Sequence, residues 1–358
     1  MFGLYRFVLS LLVVVNHLLA LPILGHYAVH GFFILSGYLM TLVMVNTYGY
    51  SIRGIGRFCL NRILRLYPAH WFILALSVFI IFFFGEDNSI KYREFMFIPN
   101  NLSQWAQNAT LIYWSTFPTS VLPRVSPPTW ALTVEITFYA LIALGLSRSR
   151  TITTLWFSLS IGYMLTTHIL GLGYGYRYGY IFSGTLAFSL GAMIFHHRNL
   201  LEIVISRYRR TTLLWATIGL AFLNSVVALK FGGDGTTGST ATLCFYVNYA
   251  LNAALIVLLI NTIAPAGLKL IDKTLGDFSY PLYLMHWQVG FACSMLIFGT
   301  PISGSSVPGI LNFFVTLFVS LACCHLIVKT IEKPVQRVRW RVKSTRIEAP
   351  AQEQARGI

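Results

Sequence analysis

The chain has 358 residues, of which 56% are hydrophobic and only 10% charged. Its mean hydropathy of +0.67 is too apolar for a water-soluble domain of this size. The net charge of +15, from 26 Lys and Arg against 11 Asp and Glu, falls in short clusters between apolar runs. That pattern excludes nucleic acid as a partner and fits membrane orientation.

Apolar runs of eighteen or more residues recur along the chain, each long enough to cross a hydrocarbon core of about 30 Å. They predict an all-α, polytopic transmembrane bundle of about ten spans, at roughly 4–24, 29–47, 66–84, 130–147, 152–170, 181–196, 211–229, 241–263, 278–298 and 308–328. The first run resembles a signal peptide only superficially and is expected to be a retained span. An even number of spans puts both termini on one side. With that side cytoplasmic, every Lys and Arg lies inside except Lys91, Arg93, Arg124, Arg177 and Lys230, as the positive-inside rule requires. The expected division is a transmembrane domain over 1–335 and a short basic cytoplasmic tail over 336–358.

The longest polar stretch, 85–129, carries Pro118, Pro123, Pro127 and Pro128 and is expected outside, as a stiffened rim over an outward-facing site. A second outer segment alternates glycine with Tyr174, Tyr176, Tyr178 and Tyr180, which suit an interfacial aromatic belt or stacking on a sugar. Five cysteines, at 59, 244, 293, 323 and 324, have no C-x-x-C spacing, so neither a disulfide framework nor a metal site is expected.

Polar groups inside spans carry the functional signal, because each costs about 2.5–3.5 kcal/mol to insert. Arg6 and His17 are eleven residues apart, about three helical turns, so they share one face of the first span about 16 Å apart. That face could grip both ends of a long anionic ligand; snorkelling for Arg6 and an interhelical bond for His17 are the structural alternatives. Glu135 lies in a span, in Trp130-Ala-Leu-Thr-Val-Glu135-Ile-Thr-Phe-Tyr139, and is expected to orient His17 as a general base or to form a structural ion pair. Ser279, Tyr283 and His286 fall near one face of the ninth span, lining the same cavity or packing in the core. Arg53, Arg57, Arg62 and Arg65 form a basic loop before Pro68, and their guanidinium groups suit phosphate oxygens as well as topology.

These segments, in this order, resemble the acyltransferase-3 family of integral membrane O-acyltransferases. The matching pieces are Arg6-x10-His17; Val29-His-Gly-Phe-Phe-Ile-Leu-Ser36-Gly37-Tyr38; Asn61-Arg62-Ile-Leu-Arg65-Leu-Tyr-Pro68; Pro128-Thr-Trp130 through Tyr139; Leu275-Gly-Asp-Phe-Ser279 through His286; and Ile331-Glu332-Lys333-Pro334. Two departures are Ala28 where members commonly have Gly and Ile136 where many have a second acid. No esterase-like domain follows, so the stand-alone form is expected.

The resemblance implies transfer of an acyl group, most often acetyl, from cytoplasmic acetyl-CoA to a hydroxyl of an extracytoplasmic or lipid-linked glycan. The acceptor classes are O-antigen, exopolysaccharide, peptidoglycan or an oligosaccharide, reached from the bacterial inner membrane in contact with its lipid. On this reading Arg6, Arg62 and Arg65 meet the phosphates of CoA, and His17 is either general base or transient acyl carrier, with Glu135 orienting it. Ser36, Trp130, Tyr139, Tyr283 and His286 are the expected lining, with Ser36 placed to donate to the thioester oxygen or to serve helix packing. No metal is required. A transporter or flippase for a lipid-linked saccharide or anion would use the same intramembrane groups and is the alternative.

Overall fold

The computed structural model describes residues 1–233, 238–262 and 265–344, and among them every regular element is helical. The helices are α1 (Phe2–Leu18), α2 (Leu24–Val43), α3 (Ile52–Phe84), α4 (Glu86–Tyr92), α5 (Leu102–Thr110), α6 (Trp130–Ala143), α7 (Arg150–Ile169), α8 (Gly175–Tyr178), α9 (Thr185–Ile205), α10 (Arg210–Phe231), α11 (Ser239–Ile260), α12 (Ala266–Phe298), α13 (Val307–Ile327) and α14 (Lys333–Ser344). Each of the ten predicted spans overlaps one helix of this set, though α3, α9 and α12 run well beyond the predicted bounds. Six of these are long and apolar enough to cross a membrane: α2 with its π turn, α3, α10, α11, α12, and α13 with its continuation. Their outer faces carry Phe79, Phe82, Phe83, Phe222, Phe314 and Phe318, which are strongly exposed, and lipid is the medium that accepts such a surface.

The other predicted spans fall short for physical reasons. The helix α1 is apolar but has 17 residues. The 14 residues of α6 rise only about 21 Å. In α7, Thr and Ser recur along the helix, and α9 carries His196, His197, Arg198 and Glu202 in its second half.

Two elements depart from the sequence expectation in ways that shape the site. The basic segment predicted as a loop is the first half of α3, which runs unbroken for 33 residues, about 50 Å, with Pro68 inside it. Ser51 starts it, its Oγ accepting from the Gly54 N–H at 3.2 Å, so the helix begins a full four turns before Pro68. The basic tail begins as structure: α13 continues through a π turn, Val328–Glu332, into α14, which packs against α3. Residues 345–358 of that tail lie outside the described residues.

The helix α1 packs between α12 and α2. Small residues permit the tight crossings: a Cβ on Gly276 would sit 2.6 Å from Gly3 Cα, and one on Gly37 of α2 would run into the Phe188 backbone of α9. The Ser36–Gly37 pair therefore places Gly37 against α9 and leaves Ser36 facing inward.

Candidate active site

The helix α1 connects two cavities. Near its N-terminus a cavity of about 200 Å³ is lined by Arg6, Ser36, Arg62, Arg65, Glu135 and Tyr139, with Ser279, Tyr280, Tyr283 and Arg339 completing the polar wall. Near its C-terminus a second cavity of about 370 Å³ is lined by Asn16, His17, His26, Arg93, Arg124 and Trp130, with Phe95, Pro127, Pro128 and Trp287. The predicted residues thus divide between two places, one gathering arginines and the other holding the histidine.

In the arginine cavity, Arg62 and Arg65 project from one face of α3, three residues apart. Arg62 Nη2 donates to Asn61 Oδ1 at 2.7 Å, and its guanidinium lies 5.7 Å from the Phe58 ring centroid. Arg65 forms an ion pair with Glu332, brought in by the π turn, and lies over Tyr280 at 5.3 Å. Glu332 pairs across the fold and not with its neighbour Lys333. Arg6 reaches the same space from α1. The sequence did not single out Arg339, whose Nη2 and Nε approach Asn61 Oδ1 at 3.3 and 3.4 Å from α14. Four guanidinium groups thus face one cavity whose lining holds one carboxylate, Glu135, while Glu332 reaches Arg65 from beside it. This is an excess of positive charge suited to phosphoryl oxygens. The arginine spacing within α14 could have flagged it only with the knowledge that α14 continues α13 as helix and packs on α3.

Glu135 does not partner His17. Its Oε1 accepts from Ser36 Oγ and from Tyr139 OH, both at 2.5 Å, inside the arginine cavity. The reason is register. Trp130, at the start of α6, lines the same cavity as His17, so Glu135, five residues on, lies about 7.5 Å further toward the other cavity. The Ser36 hydroxyl proton is engaged by the same carboxylate and is not free to donate to a thioester oxygen.

The partner of His17 is His286. His17 Nδ1 lies 2.8 Å from His286 Nε2, with the rings within 9° of parallel and their centroids 5.1 Å apart, the arrangement of an in-plane N–H···N bond. His286 Nδ1 faces the Leu282 carbonyl at 3.3 Å. A carbonyl only accepts, so in the neutral pair His286 carries its proton on Nδ1, its Nε2 accepts from His17 Nδ1–H, and His17 Nε2 keeps a lone pair. The two imidazoles form a relay whose open end is a base. His286 is fully buried behind His17, away from its helix-mates Ser279 and Tyr283, which line the other cavity. Trp287 closes over His17 at 4.9 Å between centroids.

The chain after α1 holds His17 at the cavity lip. Asn16 Oδ1 accepts from the Gly25 N–H at 3.1 Å, clasping the end of α1 to the start of α2. Between them Ala20 and Ile23 take φ of 52° and 79°, a region that L side chains rarely occupy, and such strain concentrates at functional sites.

Segment 85–129 supplies Arg93, Phe95, Arg124, Pro127 and Pro128 to the His17 cavity, as the expected rim. The tyrosine segment contributes beneath it. Tyr178 packs on His26 with centroids 4.0 Å apart and on Trp130 at 4.9 Å, and Tyr174 OH lies 3.2 Å from His26 Nδ1. His26 and its helix-mate His30, one turn on, are a lining and core pair that the sequence reading passed over.

A family model described as an acyltransferase domain matches residues 3–329, nearly the whole chain. Comparison with curated proteins and with solved structures returns no match.

Proposed function

The chain belongs to the acyltransferase-3 family of membrane acyltransferases, and on that premise we propose that it is an O-acetyltransferase carrying acetyl from cytoplasmic acetyl-CoA to a hydroxyl of an extracytoplasmic or lipid-linked glycan. The observation that carries the reading is the division of α1 between an arginine-lined cavity and a cavity holding a histidine with a free ring nitrogen. It is read with ten spans in the inner membrane, both termini cytoplasmic, and the arginine cavity open to the cytoplasm.

CoA phosphates are met by Arg62, Arg65, Arg6 and Arg339, whose positive charge exceeds that of the two carboxylates beside them. The pantetheine arm then follows α1 past Tyr139 and Tyr283 toward His17, a distance of about 16 Å from Arg6. His17 Nε2 takes the proton of the acceptor hydroxyl as its oxygen attacks the thioester carbonyl. The C–S bond breaks, CoA leaves as thiolate, and the imidazolium returns the proton to sulfur. His286 accepts from His17 Nδ1–H throughout, holding the tautomer that leaves Nε2 basic. Glu135, held by Ser36 and Tyr139, balances charge among the arginines and does not act on His17.

Membranes carrying the wild type, His17→Ala or Arg62→Ala, supplied with labelled acetyl-CoA, test this reading. Label is expected in envelope glycan for the wild type, none for His17→Ala, and less for Arg62→Ala at low donor concentration. Equal labelling by all three would remove the proposed site, and label retained on wild-type protein would replace the base by an acyl-histidine.

A further inference from the structure

The His17 cavity has an unusual balance of hydrogen-bonding groups for a sugar site. Neutral sugars present hydroxyls that donate as well as accept, and their sites need side-chain acceptors such as carboxylates. No Asp or Glu lines this cavity. The Asn16 amide oxygen is taken by the Gly25 N–H, and the imidazoles of His17 and His26 are the other side-chain acceptors. Donors, in contrast, are in surplus.

Arg93 uses Nη2 on the His17 carbonyl at 3.2 Å and lies 4.2 Å from the Trp287 ring centroid, while its Nε has no partner. Arg124 is 5% exposed; its Nη1 donates to the Thr119 and Val121 carbonyls, it stacks on Phe95 at 4.5 Å, and its Nε is also unpartnered. Trp287, 2% exposed, holds a third buried N–H without an acceptor. Burial lowers the pKa of both guanidinium groups, and the carboxylate that opposes this in each case is Glu94, which is exposed and outside the lining. Two cations, Arg93 half-buried and Arg124 buried, fixed by backbone carbonyls and aromatic rings, thus face a cavity whose lining offers them no counter-charge.

We propose that the His17 cavity takes an anionic glycan, with a carboxylate or phosphate of the sugar meeting Arg93 and Arg124 while a neighbouring hydroxyl meets His17. This rests on the acyltransfer reading above and names its acceptor class. The arginines are held against the same walls that carry His17 and Trp287, so the charge of the acceptor also fixes which of its hydroxyls is presented. Phe95 and Trp130 supply flat apolar faces for the ring.

Binding and transfer are measured separately on the full chain in lipid nanodiscs. The probes are three oligosaccharides identical except at one residue: a hexose, the corresponding uronic acid, and the hexose 6-phosphate. The wild type is expected to bind at least one charged probe about tenfold or more tighter than the neutral one, as a charge-assisted contact requires. Raising the salt should shrink that ratio. Arg93→Gln and Arg124→Gln should each reduce the ratio, and Arg93→Lys and Arg124→Lys should restore part of it. Equal binding of all three probes by the wild type, or binding of none, overturns the inference even if the variants fail to fold. A preference for uronate or for phosphate alone identifies the anion. Charge-selective binding with no transfer from acetyl-CoA would leave the anionic site standing and remove the acyltransfer reading.

Discussion

Replacing Arg339 by Gln tests whether α14 belongs to the donor site, because this residue lies ten positions beyond the segment matched by the family model. Arg339 shares Asn61 Oδ1 with Arg62 and faces the cavity with Arg6 and Arg65, and the positive charges of Arg65 and Arg62 act on it directly. An anion entering this cluster gains the attraction and also relieves that repulsion. A charge-assisted hydrogen bond contributes about 1.5–3 kcal/mol, and partial exposure of Arg339 places it near the lower end. The Michaelis constant for acetyl-CoA should therefore rise about tenfold, with kcat nearly unchanged because the lost contact is equal in ground and transition states. The assay compares acetyl-CoA with S-acetyl-N-acetylcysteamine, which carries the same thioester and no phosphate. The variant should match the wild type on the short donor. An unchanged constant for acetyl-CoA, or an equal loss on both donors, would refute the assignment and leave α14 as a strap with no part in binding.

Other predictions follow from single contacts. His286→Ala removes the acceptor that fixes the His17 tautomer; kcat should fall about a hundredfold with the acetyl-CoA constant unchanged, as separate kcat and KM determinations would reveal. Gly37→Ala drives a methyl into the Phe188 backbone and should cost about 1–3 kcal/mol of stability, read as a lower thermal midpoint in detergent. Ala20→Gly relieves a φ of 52° and should raise stability by about 1 kcal/mol in the same measurement, provided the looser turn still holds His17.

Much of the site was readable from local spacing. The eleven-residue separation of Arg6 and His17 puts two side chains on one helical face wherever the helix ends fall, whereas Arg62 and Arg65, read as a basic loop, share a face only because α3 begins at Ile52. What spacing along one helix cannot supply is the register between helices. Depth from one membrane surface puts Glu135 beside His17, yet α6 begins at the level of His17 and carries Glu135 away from it. The His17–His286 bond joins residues 269 apart in sequence. The role of Arg339 depends on the helical continuation of α13 into α14, which hydropathy does not register, since those residues read as a charged tail. Span number departs for a related reason: α6 is short and α9 polar where both pack against α2, while α7 is polar although mostly exposed.

Tyr283 belongs to both halves of the molecule. Its ring lines the arginine cavity and meets Phe32 edge-on, while its hydroxyl donates to the carbonyl of Pro128, a residue of the His17 cavity, at 2.8 Å. If the cavities open to opposite faces as proposed, that single side chain and its few neighbours would be the insulation between two aqueous compartments. On the proposed reading, an enzyme that passes acetyl groups through a membrane must do so without conducting protons or ions, and Tyr283 is a side chain that joins the walls of the two cavities. Trimming Tyr283 would then endanger the membrane potential of the cell before it touched the chemistry, and a collapse of that potential on expression of Tyr283→Ala would reveal the enzyme as a plugged pore.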